Sequence, residues 1–396
     1  MGDVIDISKS IPDKQFNGDR LRIARNYRGV TAGELADRVG VQRQTISMYE
    51  NSKLNNPEIS NLKRISDELE FPLKFFMEDI KIELGHSSTY FRSLLTTNKK
   101  YRTEQETKVQ FISIIYKYLS EYLEFSPLNI PKIKQGTSPE DAAKILRDYW
   151  NLGNKPINNI IYLVESNGII VTDFDTTTGD VDAYSHKIEF EDVQTFLIGY
   201  SKNKTAASRI HFDIAHELGH ILLHDWNEDL ENIDKQEFKE IEQQANDFAA
   251  AFLLPKEEFI SDVGGYANKL SYYEEMKKRW KVSIAAMIRR SYKLNLIDNE
   301  EYQRLMRNMQ KQGIRKVEPL DDILATAKPS LLIQAVNVLM QEEVFTAREF
   351  IDELSSDLGL SLYPNDVEKL LGLKAGTLKD EEPVVQIFVR KKEDES

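Results

Sequence analysis

A chain of 396 residues is long for a single hydrophobic core, so two or three domains are expected. Its hydrophobic content of 41% suffices for globular packing, no apolar run reaches the length of a membrane span, and zero cysteines exclude disulfides and thiolate metal sites. The net charge of −13 argues against non-specific wrapping of nucleic acid, unless charge is segregated by domain.

The start, MGDVIDISKSIPDKQ, has no basic segment followed by an apolar stretch, so it does not read as a signal peptide and the cytoplasm is the expected location. Residues 1–14 read as a flexible tail. Residues 15–79 read as short helices joined by brief polar turns. Within 15–54, Arg20, Arg22, Arg25, Arg28, Arg38, Arg43 and Lys53 outnumber Asp19, Glu34, Asp37 and Glu50, a local basic surplus on an acidic protein.

The stretch TAGELADRVGVQRQTISMYENSK, 31–53, has the pattern of a helix-turn-helix. Thr31 and Glu34 suit a capping box, Ala36 permits a close helix crossing, and Gly40 can take the left-handed turn conformation. Val41 and Ile46 anchor a second helix that exposes Arg43, Gln44 and Met48, with Thr45 and Ser47 beside them. Arginine and glutamine suit bidentate readout of guanine and adenine in the major groove, and Asn51 and Lys53 are placed for phosphates. A small bundle used for dimerisation or protein contact is the alternative. Double-stranded DNA with an operator sequence is the expected partner, and two modules per site imply a homodimer.

Residues 80–135 read as a helical linker, with one or two longer helices between Tyr90 and Leu123 and a proline-rich connector. Ser138 and Pro139 then start a helix, as N-cap and first helical residue. NGIIVTDFD and TFLIGYSK read as strands, and helices resume from Ile210 to about Gln312. The last segment, 320–396, shows three helical patterns and a closing apolar strand, VVQIFV. A winged helix, a partner-docking role and dimerisation are its open readings.

The motif with chemistry is His216-Glu217-Leu218-Gly219-His220. Residues four apart share a helix face, so two imidazoles can converge on one ion while Glu217 points at a bound water. By itself the pattern also fits a helix with two surface or core histidines. The partner helix KQEFKEIEQQANDFAAAFLLP adds Glu242 as a third ligand, and Asn246, four residues on, as a hydrogen-bond acceptor for a ligand imidazole. Glu237, Glu240 and Glu257 are nearby acids, but only Glu242 has this asparagine followed by a small, apolar run. Two His and one Glu leave the fourth tetrahedral position open, as in a catalytic zinc site. His224 lies about 12 Å along the helix axis from His216 and cannot join that tetrahedron, so packing or support is its expected role. His186 and His211 read as structural. Tyr184 and His186, in VDAYSHK, are candidate oxyanion donors, and TFLIGY is a candidate edge for aligning an extended substrate.

Residues 17–77 resemble the phage-repressor (XRE) helix-turn-helix. Tyr90 to Pro319 resembles the ImmA/IrrE metallopeptidases, on DAYS at 182–185, AHELGHILLH at 215–224 and EQQANDFAAAFLLP at 242–255. The resemblance implies a thermolysin-like (gluzincin) fold over 136–319, with Zn2+ held by His216, His220 and Glu242 and Glu217 as base. It also implies selective intracellular cleavage of a regulatory protein such as a repressor, in a stress or mobile-element response. Gln244 stands where relatives often have an acid. The expected class is α+β, mostly α with a small sheet: an N-terminal helix-turn-helix bundle, the peptidase domain and a C-terminal helical domain. A transcription factor whose peptidase-like domain senses a ligand or partner without cutting is the alternative, and an antitoxin-like protein a third reading.

Overall fold

The computed structural model describes residues 16–51, 57–79, 89–90, 99–175, 182–190, 194–203, 206–226 and 234–379. The expected N-terminal tail, Lys53 and the strand VVQIFV lie outside the described residues.

Helices α1 (Gly18–Tyr27), α2 (Ala32–Val39), α3 (Arg43–Glu50) and α4 (Ile59–Leu69) come first, the first two with side-chain N-caps from Asn17 and Thr31. Thr31 and Glu34 close the capping box on α2, and Gly40 ends it in the left-handed conformation at φ 76°, which turns the chain into α3. Ile46 and Tyr49 of α3 are buried beneath the turn, and Val41 packs partly against the same core.

Strand β1 (Thr89–Tyr90) precedes a 21-residue helix, α5 (Lys99–Leu119). Helix α6 (Pro139–Tyr149) starts as read from the sequence, with the Ser138 side chain accepting from the Asp141 amide. Helix α7 (Ile160–Ser166), which the sequence reading did not single out, leads into β2 (Ile169–Phe174), and β3 (Ala183–Glu189) and β4 (Gln194–Ser201) complete the sheet. The order is β1-β3-β4-β2, with β3 antiparallel to β1 and β4, and β2 parallel to β4. β3 and β4 are therefore the inner strands, each paired on both sides. The expectation that TFLIGY offers a free edge is corrected by this pairing.

β3 escaped the sequence reading because both faces of the sheet are covered, which erases the usual inside-outside alternation. Ile170, Phe174, Tyr184, Ile188 and Leu197 face one core, shared with α1 to α5 and the C-terminal helices. Ile169, Val171, Ala183, Phe196 and Ile198 face the other, built on α6 and the helices that follow the sheet. α5, expected within a linker, is buried along most of its length in the first core.

The second core continues through α8 (Ala207–Leu223), α9 (Lys235–Leu253), α10 (Lys256–Val263), α11 (Leu270–Trp280), α12 (Ile284–Lys293) and α13 (Asn299–Lys311). Lys277 on α11 is fully buried and reaches Glu318 (2.8 Å) and Asp321 (2.6 Å). Glu318 in turn caps α12 through the amides of Ile284 and Ala285. His211 of α8, also buried, lies 3.1 Å from the Thr326 hydroxyl.

Three C-terminal helices, α14 (Leu331–Gln341), α15 (Ala347–Ser356) and α16 (Pro364–Leu371), dock within the chain. Arg28 of α1 makes a bidentate pair with Asp366 at 2.7 Å on both arms, and the buried Arg20 donates to the Gly359 carbonyl. Glu165 of α7 accepts the Ser330 and Leu331 amides and so caps α14 from the sheet side. Among the described residues no helix is long and apolar enough to cross a membrane.

Candidate metal centre and nucleic-acid interface

Helix α8 lies on the sheet and presents His216, Glu217 and His220 in its C-terminal half, while α9 runs across it. Gly219 allows the close crossing. A Cβ there would stand 3.0 Å from the Phe248 ring and 3.2 Å from the Ala245 Cα, so a larger residue would require these neighbours on α9 to give by a few tenths of an ångström. At this separation Glu242, one turn before Ala245, meets the two imidazoles.

The two Nε2 atoms of His216 and His220 are 3.0 Å apart, and the Glu242 carboxylate oxygens lie 3.4 Å from the first and 3.3 Å from the second. Donors at about 2.0–2.1 Å from a tetrahedral ion are separated by roughly 3.3 Å, so this triangle has the size that zinc requires. The Glu242 Oε1 is buried without a hydrogen bond, an acceptor aimed into the triangle. Burial pushes His220 down to about 3, which keeps its ring neutral and its lone pair available. Burial works against ionisation of Glu242 as well, but the two imidazoles hold its carboxyl below the ordinary range. The trio can hold a metal ion.

Glu217 is 3% exposed and accepts from the Ser185 hydroxyl at 2.6 Å. Burial pushes its carboxyl up to about 7, although His216 pulls the other way. A cleft of about 250 Å³ opens one turn away, between Phe212, Asn246, Ala250, Arg289 and Lys293.

In the N-terminal bundle, Arg43, Gln44 and Ser47 are exposed on α3, with Thr45 and Met48 half-buried beside them. The docked C-terminal helices leave this face open. Asn51 ends the helix with its amide donating to the Ser47 carbonyl at 2.7 Å.

Residues 164–292 match the model of the IrrE N-terminal-like domain, a peptidase family, and residues 21–76 match that of the helix-turn-helix. The chain is a helix-turn-helix protein fused to an IrrE N-terminal-like domain. No curated protein matches it. Strands β2 to β4, the helices α8 to α11 and most of α12 thus lie within the IrrE N-terminal-like domain, and α2 and α3 within the helix-turn-helix.

Two expectations change inside the IrrE N-terminal-like domain. Successive strand residues point to opposite faces, so Ser185 faces α8 while Tyr184 and His186 face the other core, away from Glu217. Tyr184 packs on Phe174, with ring centroids 5.0 Å apart, and lies over Gly199. Neither Tyr184 nor His186 is placed to serve an oxyanion. Ser185 is the residue the sequence reading passed over: Ala183, Tyr184, Ser185 and His186 are all buried, so no alternation in DAYS separates it from its neighbours. Asn246 donates to the Glu242 carbonyl at 2.8 Å, a bond within its own helix, and not to a ligand ring. The side chain beside the His220 Nδ1 is His224, at 3.0 Å. Glycine's role at 219 was likewise hidden, because its reason is a helix 26 residues downstream.

Proposed function

We propose that this protein is a DNA-binding transcriptional regulator whose IrrE-like domain holds Zn2+ and cleaves a regulatory protein at a specific site. The observation that carries the reading is the convergence of His216, His220 and Glu242 on one point, with Glu217 buried beside it. His216, His220 and Glu242 are the ligands in this reading, and zinc supplies a polarised carbonyl and a more acidic water. Glu217 accepts the proton of the attacking water and returns it to the leaving amine. Ser185 holds one oxygen of Glu217, which leaves the other to face the water. The neighbouring cleft gives room for a substrate side chain. Arg43, Gln44, Thr45, Ser47 and Met48 read base edges, and Asn51 and Lys53 meet phosphates, in a homodimer on an operator in the cytoplasm.

Metal content of the purified protein tests the centre. About one zinc per chain in the wild type and none in Glu242→Ala is the expected result. A wild type that stays metal-free when zinc is supplied would overturn the enzymatic reading and leave a regulator with a sensing domain. For the nucleic-acid face, Arg43→Ala should cost about 1–3 kcal/mol of operator affinity with relaxed sequence preference. Unchanged preference in a binding assay across operator variants would remove Arg43 from the readout set.

A further inference from the structure

His220 offers its Nε2 to the proposed metal position, and the opposite ring nitrogen, Nδ1, stands 3.0 Å from the Nδ1 of His224. Two ring nitrogens at that distance form a hydrogen bond only when one of them carries a proton and the other does not. The far nitrogen of His224, Nε2, is 3.2 Å from the amide oxygen of Gln244, on the partner helix α9. An amide oxygen accepts and cannot donate, so His224 carries its proton on Nε2. Its Nδ1 is then a bare acceptor, and the bond between the rings is donated by His220. A His220 protonated on Nδ1 has an unprotonated Nε2, the form that ligates a metal.

We propose that His224 and Gln244 form a two-residue relay that fixes the tautomer and ring orientation of His220, and that both are positioning residues of the metal centre. The inference rests on the metal reading above and extends it. His224 is the C-cap of α8, where the helix ends and its side chain can turn back along the axis toward His220. Gln244 follows Glu242 by two residues on α9, so the ligand and the relay terminus come from one turn of one helix. The same crossing that brings Glu242 to the imidazoles therefore also delivers the acceptor that orients one of them. Ring partners of this kind hold the imidazole in the bound orientation before the ion arrives, and their loss typically weakens metal binding 10- to 100-fold.

The polarity of the relay gives the test. Zinc affinity is measured by competition with a chromophoric chelator for wild type, His224→Phe, Gln244→Glu and Gln244→Lys. The tautomer of His224 is read in the zinc-loaded wild type and in Gln244→Glu by long-range proton–nitrogen NMR. Gln244→Glu keeps an acceptor at the end of the chain and should hold zinc within about threefold of wild type. Gln244→Lys presents a donor, sets both Nδ1 atoms in conflict, and should weaken zinc by about tenfold or more, as should His224→Phe. His224 should carry its proton on Nε2 in both proteins examined by NMR. Equal affinity in all four proteins, or a His224 protonated on Nδ1 in the loaded wild type, overturns the relay while the metal centre stands. A wild type that binds no zinc overturns the metal centre and the relay together.

Discussion

Glu217→Gln should lower cleavage at least about a hundredfold while zinc content and operator affinity stay at wild-type levels. The substitution keeps the volume of the side chain and an oxygen able to accept from Ser185, so the buried packing around α8 is preserved. What it removes is the group that takes a proton. Burial pushes the Glu217 carboxyl up to about 7, close to working pH, where a base balances its basicity against its tendency to be already protonated. The assay compares new protein N-termini in cells expressing wild type or variant, with metal content measured on the purified pair. A variant that cleaves at the wild-type rate would take Glu217 out of the mechanism. One that loses zinc as well would make its role structural.

Lys277→Met should destabilise the protein by about 3–5 kcal/mol, because it leaves two carboxylates buried against each other without their cation. Lys277 is fully buried between Glu318 and Asp321, which are themselves almost entirely shielded. The penalty reaches the metal helix through specific bonds. Asp321 also accepts from Ser208 at 3.2 Å, and Thr326 lies beside His211, both within the first turns of α8. Chemical denaturation of the variant beside the wild type measures the loss. Adding Glu318→Gln and Asp321→Asn should restore part of it, since the uncompensated charge is then gone. A midpoint unchanged by Lys277→Met would show that the carboxylates find water or another cation.

The sequence by itself determined the features that depend on local periodicity. Two histidines four apart on an apolar helix share a face whatever surrounds them, so His216 and His220 were legible, as was Glu217 between them. Capping is equally local: Thr31 with Glu34, Gly40, and Ser138 before Pro139 all act within a few residues of the backbone they satisfy. Glu242 was legible only because it lies on a helix with its own recognisable pattern.

Only the tertiary structure decided which side of a doubly covered sheet each strand residue faces. That choice put Ser185 on Glu217 and sent Tyr184 and His186 to the opposite core. It also decided that β4 is an inner strand, that Asn246 bonds within its own helix, and that His224 and Gln244 meet across the helix pair. The C-terminal helices carried no motif, and they dock by packing apolar faces into the first core, with the Arg28–Asp366 pair, 338 residues apart in sequence, joining α16 to α1. The physical reason is common to all of these. Helix faces and caps are set by backbone geometry within a turn or two, whereas contacts between elements depend on how whole faces pack, and no spacing in the chain encodes that.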